Sequence, residues 1–188
     1  MRIIGISGLP GSGKSYVSEI AIKKGAKIVN MGDCVREEAK KRKLAIGVTA
    51  IKLREEEGEF VVAKLTIKKL KAIEKSIKEN IKENIEKEDT TLYIIEGIRS
   101  PYEVEMFKNS FDDFYILSIF ASPKTRFKRL KLRNREDDNS EHELFYERDQ
   151  RELKFGIGTV IALSDYLIIN ENSLEEYEKE IEKFFSTI

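Results

Sequence analysis

The chain has 188 residues, of which 40% are hydrophobic and 36% charged, and its 34 Lys plus Arg balance 34 Asp plus Glu. That is one domain's length with enough apolar content for a core, and the zero net charge excludes a globally basic nucleic-acid binder, so no DNA partner is expected. A single cysteine, Cys34, excludes an internal disulfide, a lone His142 leaves no zinc or Cys–His constellation, and the absence of a leader or membrane-length apolar run predicts a cytoplasmic protein without a membrane partner.

In chain order, "RIIGIS" (2–7) is a short β-branched strand that runs into a glycine-rich loop, and "YVSEIAIKK" (16–24) is the helix after it. "AKIVNM" (26–31) predicts a second buried strand, and "DCVREEAKKRK" a helix. From Phe60 apolar residues recur at helical spacing through Leu70, Ile73, Ile77, Ile81 and Ile85, so the Lys/Glu-rich stretch from Lys64 to Asp89 is a solvated helix face and not low complexity. "TLYIIEG" (91–97) and "FYILSIFA" (114–121) are nearly apolar throughout, as parallel strands covered on both faces are. Ser100-Pro101 with Glu103, and Ser122-Pro123, are helix starts. "DYLIIN" (165–170) is the last strand, and Ser173 with Glu176 caps a final amphipathic helix. This alternation predicts an α/β fold, a three-layer doubly wound parallel sheet in a single domain over 1–188.

The loop "GISGLPGSGKS" matches Gly8-x-x-x-x-Gly13-Lys14-Ser15, the P-loop pattern, between a strand and a helix as the motif requires. Glycines let backbone N–H groups curl around phosphate oxygens, and the following helix aims its positive end at the same phosphates. Lys14 is predicted to reach the terminal phosphates and Ser15 to ligate magnesium. The ATP-binding set is therefore Gly8, Gly11, Ser12, Gly13, Lys14, Ser15 and Tyr16. No base-reading "NKxD" segment is present, which argues against a GTPase switch.

Four further segments carry a resemblance. "MGDCVRE" (31–37) resembles the GD-x-x-R segment of adenylate kinase and its relatives, the nucleoside monophosphate kinases; this implies that Arg36, with Gly32 and Asp33 in register, grips the acceptor's phosphate. "EGEFVVAKL" (57–65) resembles the stretch that lines the acceptor base there, placing Gly58, Phe60 and Val61 in that role. In "YIIEGIRS" (93–100), Glu96 ends an apolar strand where P-loop enzymes hold magnesium through water. Gly97 and Arg99 resemble part of the family's DG-x-P-R segment, with Glu for Asp and the arginine one residue early. "RFKRLKLRNREDDNSEHELFYERDQRE" (126–152) resembles a short arginine lid; Arg129 and Arg133 lie on one helix face, and Arg135 and Arg148 are the lid candidates that Asp137 and Asp138 keep apart before substrate arrives. "FGIG" (155–158) reads as its hinge, and Asn172 in "INENS" falls where relatives pass a loop beside the ATP adenine.

The whole resembles a P-loop kinase of the nucleoside monophosphate kinase type, similar to adenylate-kinase-related proteins of archaea, with an acceptor segment over 32–88 and a lid over 126–158. It implies transfer of the γ-phosphoryl group of Mg-ATP to a nucleoside monophosphate such as AMP, with ATP and Mg2+ as the small-molecule requirements. Lys14, Arg129, Arg133, Arg135 and Arg148 would be catalytic, Ser15 and Glu96 would serve the metal, and Asp33, Arg36, Gly58, Phe60, Val61, Gly97 and Arg99 the acceptor. Two alternatives remain open on the sequence: a kinase of the dephospho-coenzyme A type, which shares the short arginine lid and a similar "SDYLIIN" strand, and a nucleotide-sensing module without transfer.

Overall fold

The computed structural model describes residues 1–83, 91–133 and 142–188. Strands β1 (Arg2–Ser7), β2 (Lys27–Asn30), β3 (Leu92–Glu96), β4 (Phe114–Phe120) and β5 (Tyr166–Ile169) pair in parallel throughout, in the order β2-β3-β1-β4-β5. Between them run α1 (Lys14–Lys23), α2 (Met31–Arg42), α3 (Ile46–Glu57), α4 (Val61–Glu83), α5 (Pro101–Lys108), α6 (Pro123–Arg133), α7 (His142–Lys154) and α8 (Ile157–Ala162), with α9 (Leu174–Thr187) last. The result is the three-layer α/β sheet expected from the strand–helix alternation.

The near-continuous apolar strands follow from burial on both faces. Successive residues point to opposite sides, so Ile3, Tyr93, Ile95, Phe114 and Ile116 pack with Leu70 of α4, Phe107 of α5 and Val160 of α8. Ile4, Ile6, Ile94, Leu117, Ile119 and Ile168 pack on the other side with Val17 and Ile20 of α1 and with Tyr177, Ile181 and Phe184 of α9. The predicted α4 stripe behaves as a core face, since Ile73 and Ile77 join Leu70 against the first layer. Ile85 lies outside the described residues.

Local signals set most helix starts. Ser100 accepts from the Tyr102 N–H while the Glu103 carboxylate accepts from the Ser100 N–H, closing a capping box worth about 1 kcal/mol. Ser173 accepts from the Glu176 N–H at 3.2 Å. Asn30 caps α2 by accepting from Gly32 N–H at 2.8 Å, so β2 stops there and Met31 is helical instead of strand. Helix α3 has no counterpart in the sequence reading: Gly47 and several β-branched residues weaken the helical signal, and Ile46, Val48 and Ile51 remain exposed while only Thr49 and Leu53 are buried. Of the two glycines read as a hinge, Gly156 is the left-handed N-cap of α8, and Gly158 lies inside that helix.

The strand register delivers polar residues to one edge. Glu96 is opposite Ile6 on one side and Asn30 on the other, so the ends of β1, β2 and β3 converge where the glycine loop leaves the sheet. This is the carboxyl edge, at the point where strand order reverses about β1, and open α/β sheets bind ligands there.

Candidate active site

Three glycines give the loop its path. Gly8, Gly11 and Gly13 have φ of 144°, 81° and 106°, values that L side chains rarely adopt. A Cβ on Gly8 would stand 2.4 Å from the Ile119 carbonyl oxygen, and one on Gly13 would stand 2.4 Å from Asn170 Nδ2. Glycine is thus demanded by both backbone and neighbours. Lys14 Nζ donates back to the carbonyls of Gly8 (2.6 Å) and Leu9 (3.1 Å), curling over the loop. Burial lowers its pKa to about 8, with the Glu152 charge pulling it up and that of Arg99 pushing it down. Ser12, within the loop, is wholly buried, and its hydroxyl has no hydrogen-bond partner among the described residues.

A second tier holds the loop from behind. Asn170, at the end of β5, donates from Nδ2 to Ser12 O at 2.8 Å. Its backbone and side-chain oxygens both accept from Arg129, each at 3.0 Å. The Tyr177 hydroxyl donates to Gly13 O at 3.0 Å, and burial pushes its pKa up. The Tyr16 ring stacks on Tyr177 at 5.9 Å, its hydroxyl donating to Glu178.

In front of the loop lies a cavity of about 480 Å³, walled by Gly8, Gly11, Gly13, Lys14, Ser15, Tyr16, Arg129, Arg133 and Arg148. A second, of about 630 Å³, is walled by Asn30, Gly32, Arg36, Phe60, Glu96 and Tyr102, among others. The two share Ile6, Lys14, Ser15, Gly97 and Arg99. Glu96 is held between α1 and the end of β2, accepting from the Ser18 hydroxyl of α1 and from Asn30 Nδ2 at 3.0 Å. Arg99 pairs with Glu152 of α7 at 3.3 Å and reaches both cavities despite its early position in the segment. Glu103 is also on the wall; burial raises its pKa, opposed by the backbone N–H groups of Arg99 and Ser100.

The donors suit a triphosphate: glycines that keep a Cβ out of the cradle, and a lysine bonded to loop carbonyls that a phosphate can replace. A magnesium ion there would find the exposed Ser15 hydroxyl and the Glu96 carboxylate on the same wall. Among the described residues no group of three or more His, Cys, Asp or Glu gathers elsewhere as a metal cage.

Not every residue singled out from the sequence is on a cavity wall. Val61 is completely buried against Val35 and Leu53, and Val62 faces the cavity in its stead, because the helical turn rotates its neighbour outward. Gly58 ends α3 with φ 90°, exposed and off the wall. Asp33 pairs with Arg36 on one helix face. Asn172 is exposed in the β5–α9 turn, and it is Asn170 that touches the phosphate loop. Arg135, Asp137 and Asp138 lie outside the described residues. The residues missed, Asn30 and Asn170, carry the same signal that picked out Glu96, a polar side chain ending an apolar strand. Arg54, Tyr102, Glu152 and Lys154 also line the cavities, and no local pattern marks them.

A parallel sheet in this order, with a glycine loop and lysine at its carboxyl edge, defines a P-loop, kinase-like nucleotide-binding fold. Comparison with known proteins agrees. The chain belongs to the AAA domain family, which it matches over residues 7–143, and to the UPF0200 proteins. It is 45% identical over 180 residues to the UPF0200 protein of Methanothermobacter thermautotrophicus, covering 96% of this chain and 87% of that one. It is 45% identical to UPF0200 protein MJ1399 of Methanocaldococcus jannaschii, covering 100% and 91%. Among solved structures, TT1252 from Thermus thermophilus superposes with a TM-score of 0.58 at 18% identity, over 100% of this chain and 97% of that one. Shikimate kinase from Bacteroides thetaiotaomicron superposes at 0.53 and 15%, over 99% and 97%. At such identities these two structures establish the fold. Among the described residues no helix is long and apolar enough to cross a membrane.

Proposed function

We propose that the protein is a phosphotransferase of the nucleoside monophosphate kinase type, moving the γ-phosphoryl group of Mg-ATP to a nucleoside monophosphate such as AMP. One observation carries the reading: two cavities meet at Lys14, Ser15, Gly97 and Arg99, one against the glycine loop and the other against Arg36 and Phe60. A switch or motor needs only the first; a two-substrate transferase needs both.

The division of labour follows from charge. Lys14 and the loop amides hold the donor phosphates, and magnesium bound near Ser15 and Glu96 would neutralise charge on them. Arg36 and Arg99 offer planar forks to the acceptor's phosphate. Arg129, Arg133 and Arg148 place cations on the donor cavity, where a loose, highly anionic transition state requires them, with Arg135 assigned to the same task from sequence. Phe60 and Tyr102, with ring centroids 5.3 Å apart, present an aromatic wall to an acceptor base. An anionic phosphate acceptor needs no general base, and none is assigned.

A second reading is favoured by size. The acceptor cavity, about 630 Å³, exceeds the donor cavity, about 480 Å³, and so suits a larger acceptor such as dephospho-coenzyme A. Coupled ADP-release assays with AMP, CMP, UMP, their deoxy forms and dephospho-coenzyme A decide between them. Release strictly dependent on a monophosphate supports the first reading. Dependence on dephospho-coenzyme A alone supports the second, and calorimetric AMP binding with no transfer to any acceptor makes the protein a sensor.

A further inference from the structure

Arg126 is 1% exposed and Asp149 is 7% exposed, a fully interior ion pair 23 residues apart that the phosphotransfer chemistry above does not use. The pair is bidentate, with Arg126 Nη1 and Nη2 on the two Asp149 oxygens at 2.8 and 2.5 Å. The guanidinium also donates from Nε to the Ala121 carbonyl, just past β4, at 3.1 Å, and from Nη1 to the Pro10 carbonyl in the glycine loop at 3.2 Å. It lies 5.1 Å from the centroid of the Phe145 ring of α7. One side chain therefore joins the sheet edge, the tip of the phosphate loop and helix α7. The backbone of the same residue presses on the loop as well, since a Cβ on Gly11 would meet the Arg126 carbonyl oxygen at 2.9 Å.

Stability alone is a poor reason for such a pair, because desolvating both charges offsets most of their attraction and an apolar pair of similar volume often serves as well. What an apolar pair does not supply is direction. Asp149 is followed in its helix by Glu152, one turn on, and preceded by Arg148, and both neighbours line the donor cavity. With Asp149 fixed inward by two bonds to a residue that also holds Pro10, α7 has one rotation and one height relative to the loop.

Resting on the phosphotransferase reading, we propose that Arg126 and Asp149 are positioning residues that register Arg148 and Glu152 against the phosphate loop. The anchor ties α7 to the core on both sides of Arg148, through Asp149 and through the buried Phe145 ring, and so holds Arg148 and Glu152 at the donor cavity.

The test separates support from registration. Asp149→Ala is expected to lower Tm by about 6–20 °C and to weaken ATP binding in calorimetry. The double variant Arg126→Met with Asp149→Leu is expected to recover Tm to within a few degrees of the parent, yet to bind ATP at least tenfold more weakly. Recovery of both Tm and ATP affinity in the double variant overturns the proposal, since the pair would then be structural filling. Should neither variant fold, hydrogen exchange on the unmodified protein decides. Residues 145–152 are expected to be protected before nucleotide and to change less than twofold on adding ATP. A larger gain across that stretch on adding ATP overturns the anchor. Both readouts use ATP binding, so a failure to find the acceptor leaves this test intact.

Discussion

Lys14 is expected to make nucleotide binding proton-linked. Its ammonium, folded onto loop carbonyls and lowered by burial to about 8, is partly neutral in the nucleotide-free protein at mildly alkaline pH. Triphosphate favours the charged form, so binding restores the pKa to at least its ordinary value near 10.5 and takes up a proton. The sign is therefore positive uptake, growing as pH rises through 8. With these values, uptake is ~0.1 proton per ATP at pH 7, ~0.5 at pH 8 and ~0.9 at pH 9. Over the same interval from pH 7 to 9 the affinity falls about tenfold, or ~1.4 kcal/mol. Calorimetry of ATP binding in pairs of buffers with different ionisation heats measures the uptake directly. Lys14→Arg is the control: a guanidinium stays charged throughout, so this contribution disappears. Uptake near zero from pH 8 to 9, or equal uptake in the Lys14→Arg protein, refutes the reasoning.

Lys14→Ala is expected to cut turnover by about 10²–10³-fold, as loss of one transition-state contact does, while circular dichroism shows the fold kept. Arg36→Ala should raise the acceptor KM by about 10–100-fold, the loss of a charge-assisted bond, and leave the ATP KM within about twofold; equal changes in both would place Arg36 outside the acceptor site. Asn170→Ala removes the bonds to Ser12 O and to one Arg129 nitrogen, so a loss of about 1–3 kcal/mol in chemical denaturation is expected together with weaker ATP binding. Gly13→Ala combines positive φ with a contact to Asn170 Nδ2, and ATP binding should be lost with a stability penalty of about 2–4 kcal/mol; undiminished ATP affinity in that protein would contradict the loop's role.

Much of the molecule is determined by short-range sequence. Apolar strands in alternation with helices demand a covered parallel sheet, and the glycine spacing with Lys14 demands a loop wrapped around phosphate. Ser100 with Glu103 sets a helix start through bonds made within four residues, so it is legible in one dimension. Helix α3 was not legible, because its signal is weak and its packing comes from Leu53 meeting Val35 and Val61 of other helices. The same distinction divides the site. Lys14, Ser15 and Glu96 follow from local motif and strand-end position. Arg99 meeting Glu152, Asn170 bracing Ser12, and Arg126 clasped by Asp149 join residues 53, 158 and 23 positions apart. No periodicity encodes such meetings, since they arise when parallel crossovers bring strand ends and helix α7 to one edge of the sheet. The sequence by itself determined that a phosphate-loop motif lies at the edge of this sheet. Only tertiary packing decided which charges face it, because burial and pairing are properties of the neighbours a side chain acquires.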